Sequence, residues 1–132
     1  MAHDGREGSI EVITGVMFSG KSEELLRRVR RALIARRSVQ VFKSHLDDRY
    51  SGIHAISSHD GRRVEARPVS RSLEIAEHTA DEVDVVAIDE VQFLDTGIIE
   101  VANRLADRGV RVIISGTDMD FQVGIVSDAD SR

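Results

Sequence analysis

The sequence contains no cysteine, no tryptophan and a single proline, Pro68. Without cysteine there is no disulfide and no thiolate-bound metal, and a reducing compartment is permitted. Long apolar runs are missing too. None approaches the roughly 20 residues that cross a bilayer. The opening "MAHDGREG" is polar and lacks the apolar centre of a signal peptide. An excess of positive charge is also missing. Eighteen Lys and Arg stand against 23 Asp and Glu, for a net charge of -5. General attraction to nucleic acid or to an anionic membrane is therefore not expected. These absences together read as a cytoplasmic protein with no membrane and no nucleic-acid partner.

What is present suits a globular domain. The chain has 132 residues, 41% hydrophobic and 31% charged. That composition is not that of a disordered chain. The length fits one domain with a proper core. No repeat and no linker divides it.

Residues 9–14, "SIEVIT", read as a strand. A helical pattern starts at Lys21, with Leu25, Leu26, Val29, Ala32 and Leu33 on one arc. Its arginines fall on the opposite face, and Glu23–Arg27 and Glu24–Arg28 are i,i+4 pairs in the favourable order. The arginine run therefore reads as a solvated face rather than a nucleic-acid surface. "VQVFK" is a second strand, and strand–helix–strand makes a parallel βαβ unit. Residues 44–62 read as one long polar connection, the kind that carries function. "RVEARPV" reads as an edge strand because it holds the proline. "SRSLEIAEHT" reads as a short helix capped by Ser70 or Ser72. "DVVAID" is an apolar strand ending in an acid. "DTGIIEVANRLADRG" is a helix capped by Asp95 or Thr96 and stopped by Gly109, with Ile98, Ala102 and Leu105 buried. "VRVIISG" is a further strand. The expected fold is α/β with a mostly parallel sheet.

Two constellations carry chemistry. The first is "GVMFSGKS". Gly15, Val16, Met17, Phe18, Ser19, Gly20, Lys21 and Ser22 satisfy the P-loop spacing between a strand and a helix. Glycines let backbone N–H groups turn inward on phosphate, and the helix start adds unpaired donors. Lys21 reaches the β- and γ-phosphates and Ser22 ligates Mg²⁺. The bland alternative is a glycine-rich turn with a chance lysine. The second constellation is "DE". Asp89 ends its strand as a Walker B acid does, and the competing reading is a capping aspartate. Glu90 suits a general base, acting on water or on a substrate hydroxyl. Arg49, in "DDRY", could offset transition-state charge, although a surface arginine is commonly just solvated. None of the five histidines has metal-ligand spacing.

Five motifs in order, "GVMFSGKS", "KSHLDDRY", "SHDG", "IDEVQF" and "GTDMDF", resemble those of the type II, RecA-like P-loop thymidine kinases. The resemblance covers about residues 9–121. It implies a RecA-like P-loop NTPase domain of three layers, and ATP and Mg²⁺ with thymidine as the second substrate. It makes Glu90 the base for the thymidine 5′-hydroxyl and sets Arg49 beside the transferring phosphoryl group. Asp47 would position metal waters or the sugar. Met17 and Phe93 would line the thymine pocket, and Phe121 would stack there. Read without the family, Met17, Phe18, Phe93 and Phe121 are ordinary core residues. The resemblance also implies a homotetramer. Val16 departs from the family's proline, and Thr117 from its leucine. The family continues into a zinc-binding and lasso segment. Here the expectation is a flexible 1–8, a kinase-like domain over 9–121, and an irregular tail over 122–132 that is truncated relative to the family and holds no zinc. The alternatives left open are a P-loop binding module and an ATPase in which Glu90 activates water.

Overall fold

A computed structural model describes residues 8–14, 21–44, 54–57 and 63–117. Strand β1 is Ser9–Thr14, helix α1 is Lys21–Ile34, β2 is Val39–Ser44, β3 is His54–Ser57, and β4 is Arg63–Val69. Helix α2 is Ser72–His78, β5 is Val85–Asp89, a 3₁₀ turn spans Val91–Phe93, α3 is Ile98–Asp107, and β6 is Arg111–Gly116. The strands form one sheet in the order β1-β6-β5-β2-β4-β3. All neighbours are parallel except β3, which runs antiparallel to β4. Helix α1 covers one face, and α2 and α3 cover the other. This is the expected three-layer α/β domain.

The central strands explain the arrangement. Every residue of β5 is buried, as are five of the six in β6. Both strands are therefore apolar on both faces and need helices on each side. Val85, Ala87 and Ile113 pack toward α1 with Leu25, Leu26 and Val29. Val86, Ile88, Val112 and Ile114 pack toward α2 and α3 with Ile75, Ile98 and Leu105. Burying one such side chain stabilises the fold by about 1.5–3 kcal/mol.

Strands β1 and β2 are parallel, as expected, with β6 and β5 between them. Several other local expectations are corrected. The stretch 44–62 is not one continuous loop, since β3 lies within it. Strand β4 is not the edge. Its first half pairs with β3 and its second half with β2. Pro68 lies beyond the last β3 pair, at Ala66, so only one neighbouring strand claims the backbone there. Leu33 is 49% exposed, because it falls at the margin of the apolar stripe. Helix α2 is capped by neither serine. The Glu74 carboxylate accepts the N–H groups of Ser70 and Arg71, at 2.6 and 2.9 Å, and these bonds hold its pKa below the ordinary value.

The two long helices end alike with different residues. After α3, Val110 N–H reaches back to Leu105 C=O, and Gly109 takes φ 91°. After α1, Arg37 N–H reaches back to Ala32 C=O, and Arg36 takes φ 63°. Both are left-handed C-terminal turns, but only the second places a side chain in that region. Arg36→Gly is therefore expected to raise stability by about 1 kcal/mol. Urea denaturation followed by circular dichroism checks this.

A charged chain ties α1 to the sheet edge. Glu11 on β1 accepts from Arg111 on β6, with Nη2 to Oε1 at 3.0 Å, and from Arg28 on α1 at 2.9 Å. Glu24 holds the other side of Arg28 at 2.7 Å and also bonds Arg27. Arg27 thus bonds at i,i+3 here, with Glu24, as well as lying four residues from Glu23. Burial pushes the Glu11 carboxyl up, but the two guanidinium groups outweigh it and hold the pKa below the ordinary value. A lowered folded-state pKa stabilises above the unfolded value and loses that contribution as pH falls through it. Glu11→Gln should cost about 1–2 kcal/mol at pH 7. Denaturation curves of wild type and variant should converge as pH falls below the unfolded value near 4.5.

Candidate functional site

The carboxyl ends of parallel strands are where such sheets bind ligands. Here β1 ends at Thr14, β6 at Gly116 and β5 at Asp89. Thr14 and Gly116 are register partners, so the ends of β1 and β6 lie side by side. Residues 15–20 join β1 to α1, whose first two residues are Lys21 and Ser22. A strand therefore precedes these residues and a helix follows them. Gly15, Val16, Met17, Phe18, Ser19, Gly20, Asp47, Arg49 and Phe121 lie outside the described residues.

Asp89 is the last residue of β5 and only 1% exposed. Its alternation along β5 puts it on the α1 face with Val85 and Ala87. Its Oδ1 accepts the N–H of Glu90 at 2.9 Å. Glu90 then takes φ 56° and ψ 42°, the left-handed region. A non-glycine residue there costs roughly 1–2 kcal/mol and is commonly held for function. The reversal ends the strand at once and starts the 3₁₀ turn Val91–Phe93. Val91 is buried at 1%, whereas Phe93 is 41% exposed. Phe93 is therefore not a core residue, contrary to the ordinary packing reading.

Gln92 is the residue that sequence reasoning left without a role. Its Nε2 donates to Glu90 Oε1 at 2.7 Å, and its Oε1 accepts the Thr117 N–H at 3.1 Å. Thr117 follows β6 directly, so this side chain bridges the ends of two strands. No periodicity or charge pattern reports such a bond.

The segment after the 3₁₀ turn is also tied down. Asp95 accepts from Ser72 N–H at 2.8 Å, from Ser72 Oγ at 2.7 Å, and from Gly97 N–H at 3.1 Å. One carboxylate thus joins the start of α2 to the residue before α3, but neither Asp95 nor Thr96 caps α3, whose N-cap is Gly97 without a side-chain cap bond. The Ser72 bonds hold the Asp95 pKa below the ordinary value.

The sheet order, the acid ending β5, and the strand and helix on either side of residues 15–20 are those of a RecA-like P-loop α/β domain. The Thymidine kinase family model matches residues 8–129. Two curated thymidine kinases, from two strains of Porphyromonas gingivalis, are each 56% identical over 117 residues. Those matches cover 89% of this chain and 56% of each relative. The chain belongs to the thymidine kinase family. It spans about half the length of the curated relatives it matches.

Asp95→Ala removes the shared acceptor and leaves the buried Ser72 hydroxyl and N–H without it. The expected cost is about 2 kcal/mol at neutral pH. Because the folded-state pKa of Asp95 is lowered, the difference should shrink as pH falls through the carboxylate range. Urea midpoints at pH 7 and near pH 3 check it.

Proposed function

We propose that this chain supplies the phosphate-binding and base-carrying part of a thymidine kinase, which transfers the γ-phosphoryl group of ATP to the 5′-hydroxyl of thymidine. Family membership supports the substrates. The observation that carries the reading is the Asp89–Glu90 step, which sets two carboxylates in succession at the carboxyl end of a fully buried strand.

The donor set fits magnesium. Asp89 is a hard oxygen ligand at the strand end, and Ser22 opens the helix after the loop. Among the described residues no group of three or more His, Cys, Asp and Glu converges. Mg²⁺ typically binds through one or two carboxylates, substrate phosphates and waters, so it needs no such cluster. When bound, the ion offsets charge on the phosphates. Backbone amides of 15–22 and Lys21 hold the β- and γ-phosphates. Glu90 takes the 5′-hydroxyl proton as that oxygen bonds to the γ-phosphorus. The bond to the β–γ bridging oxygen breaks, and ADP leaves with its electron pair. Arg49 stabilises charge on the transferring group, and Asp47 positions metal waters or the sugar. Met17, Phe93 and Phe121 contact thymine, a role that the exposure of Phe93 supports.

The test is an assay with ATP, Mg²⁺ and thymidine that follows ADP and dTMP together. ATP consumption should require thymidine. Glu90→Gln should lower kcat by about 10²–10⁴-fold while calorimetric ATP binding persists. ATP consumed equally without nucleoside would mean hydrolysis instead. Full turnover in Glu90→Gln would remove Glu90 as the base.

A further inference from the structure

We propose that Gln92 is a positioning residue that aims the Glu90 carboxylate, an inference that rests on Glu90 being the base. Three observations converge. The first is the short Gln92 Nε2–Glu90 Oε1 bond of 2.7 Å. The second is the anchor on the other side, where Gln92 Oε1 accepts the Thr117 N–H at 3.1 Å. The third is Gly116, where a Cβ would lie 2.7 Å from Gln92 Oε1 and 2.8 Å from Val91 Cγ1.

The chemistry fixes the orientation of the amide. A backbone N–H on one side demands the carbonyl oxygen, and a carboxylate on the other demands the NH₂ group. Gln92 is therefore a spacer of defined polarity between the β6 end and the base. It occupies Oε1 of Glu90 and leaves Oε2 to receive a proton. Glu90 has a flexible side chain on a left-handed backbone. Without the bridge its carboxylate has rotamers to explore, and a misplacement of about 1 Å can cost on the order of 10²-fold in rate. Glutamate at position 92 would keep the acceptor for Thr117 but set one carboxylate against another. Alanine at 116 would push the amide aside without altering either partner.

The experiment compares Gln92→Met, Gln92→Glu and Gly116→Ala with wild type for kcat, for KM of ATP and for melting temperature. Gln92→Met should lose about 10- to 100-fold in kcat with KM for ATP unchanged. Gln92→Glu should lose at least as much. Gly116→Ala should lose kcat in the wild-type background but little further in Gln92→Met, because both act on one bond. In Glu90→Gln, Gln92→Met should have no additional effect. A Gln92→Met enzyme with wild-type kcat beside an inactive Glu90→Gln would overturn the proposal and leave the base assignment standing. An active Glu90→Gln would overturn both. A readout independent of turnover is NMR of the Gln92 side-chain NH₂ and the Thr117 amide. Both should be protected from exchange, and the NH₂ resonances should move in Glu90→Gln. Freely exchanging, unshifted signals would refute the bridge.

Discussion

The site depends on the complete burial of β5. Every residue of "VVAID" is enclosed, with β6 and β2 on its two edges and helices on its two faces. A strand held on four sides cannot slip in register, since a one-residue shift would drive its side chains into the wrong layer. Asp89 therefore emerges at one fixed place, and it emerges buried. A charged group so enclosed is tolerated only with partners, and the Glu90 N–H is one of them. The same fixity transmits to Glu90, because its N–H is already bound to Asp89 Oδ1.

From that point the chain reverses sharply. The left-handed Glu90 costs stability, and the surrounding bonds offset it. Gln92 ties the turn to the end of β6, and Asp95 ties its continuation to α2. The turn is thus anchored to two other elements of the fold within six residues of the strand end. Such a base needs little reorganisation when a hydroxyl approaches, which is the economy that phosphoryl transfer rewards.

Much of this was legible in the sequence because it was written in period and punctuation. β-branched runs bounded by glycine or acid gave β1, β5 and β6 almost to the residue. Gly109 marked the end of α3. The acid of "IDE" stands at the carboxyl end of β5, where the apolar run placed it, whereas residues 15–20 of the P-loop pattern lie outside the described residues. What was not legible depended on partners distant in sequence. Strand β3, "HAIS", is four residues among polar ones, and only β4 makes it a strand. Pro68 suggested an edge, but the pairing around it changes neighbour in mid-strand. Arg36 ends α1 in a conformation that usually announces itself as glycine. Gln92 has neither charge nor periodicity, and its role appears only when Thr117 is set beside it, 25 positions on.

The charged contacts divide the molecule usefully. Glu11, Arg28 and Arg111 join β1, α1 and the start of β6, away from the strand ends that carry Asp89 and Glu90. At the same amino-end side, Asp84 accepts the Ser38 N–H and its carbonyl accepts the Arg111 N–H. Side-chain and loop bonds thus secure the amino end of the sheet, where no ligand is expected. At the carboxyl end lie Asp89, Glu90 and Gln92, the residues on which the proposed chemistry rests. Acid that protonates Glu11 therefore acts first on the scaffold, whereas changes at Gln92 act on the alignment of the base. The Glu11 cluster lies apart from Glu90 and Gln92, so it can be perturbed as a control for the proposed chemistry.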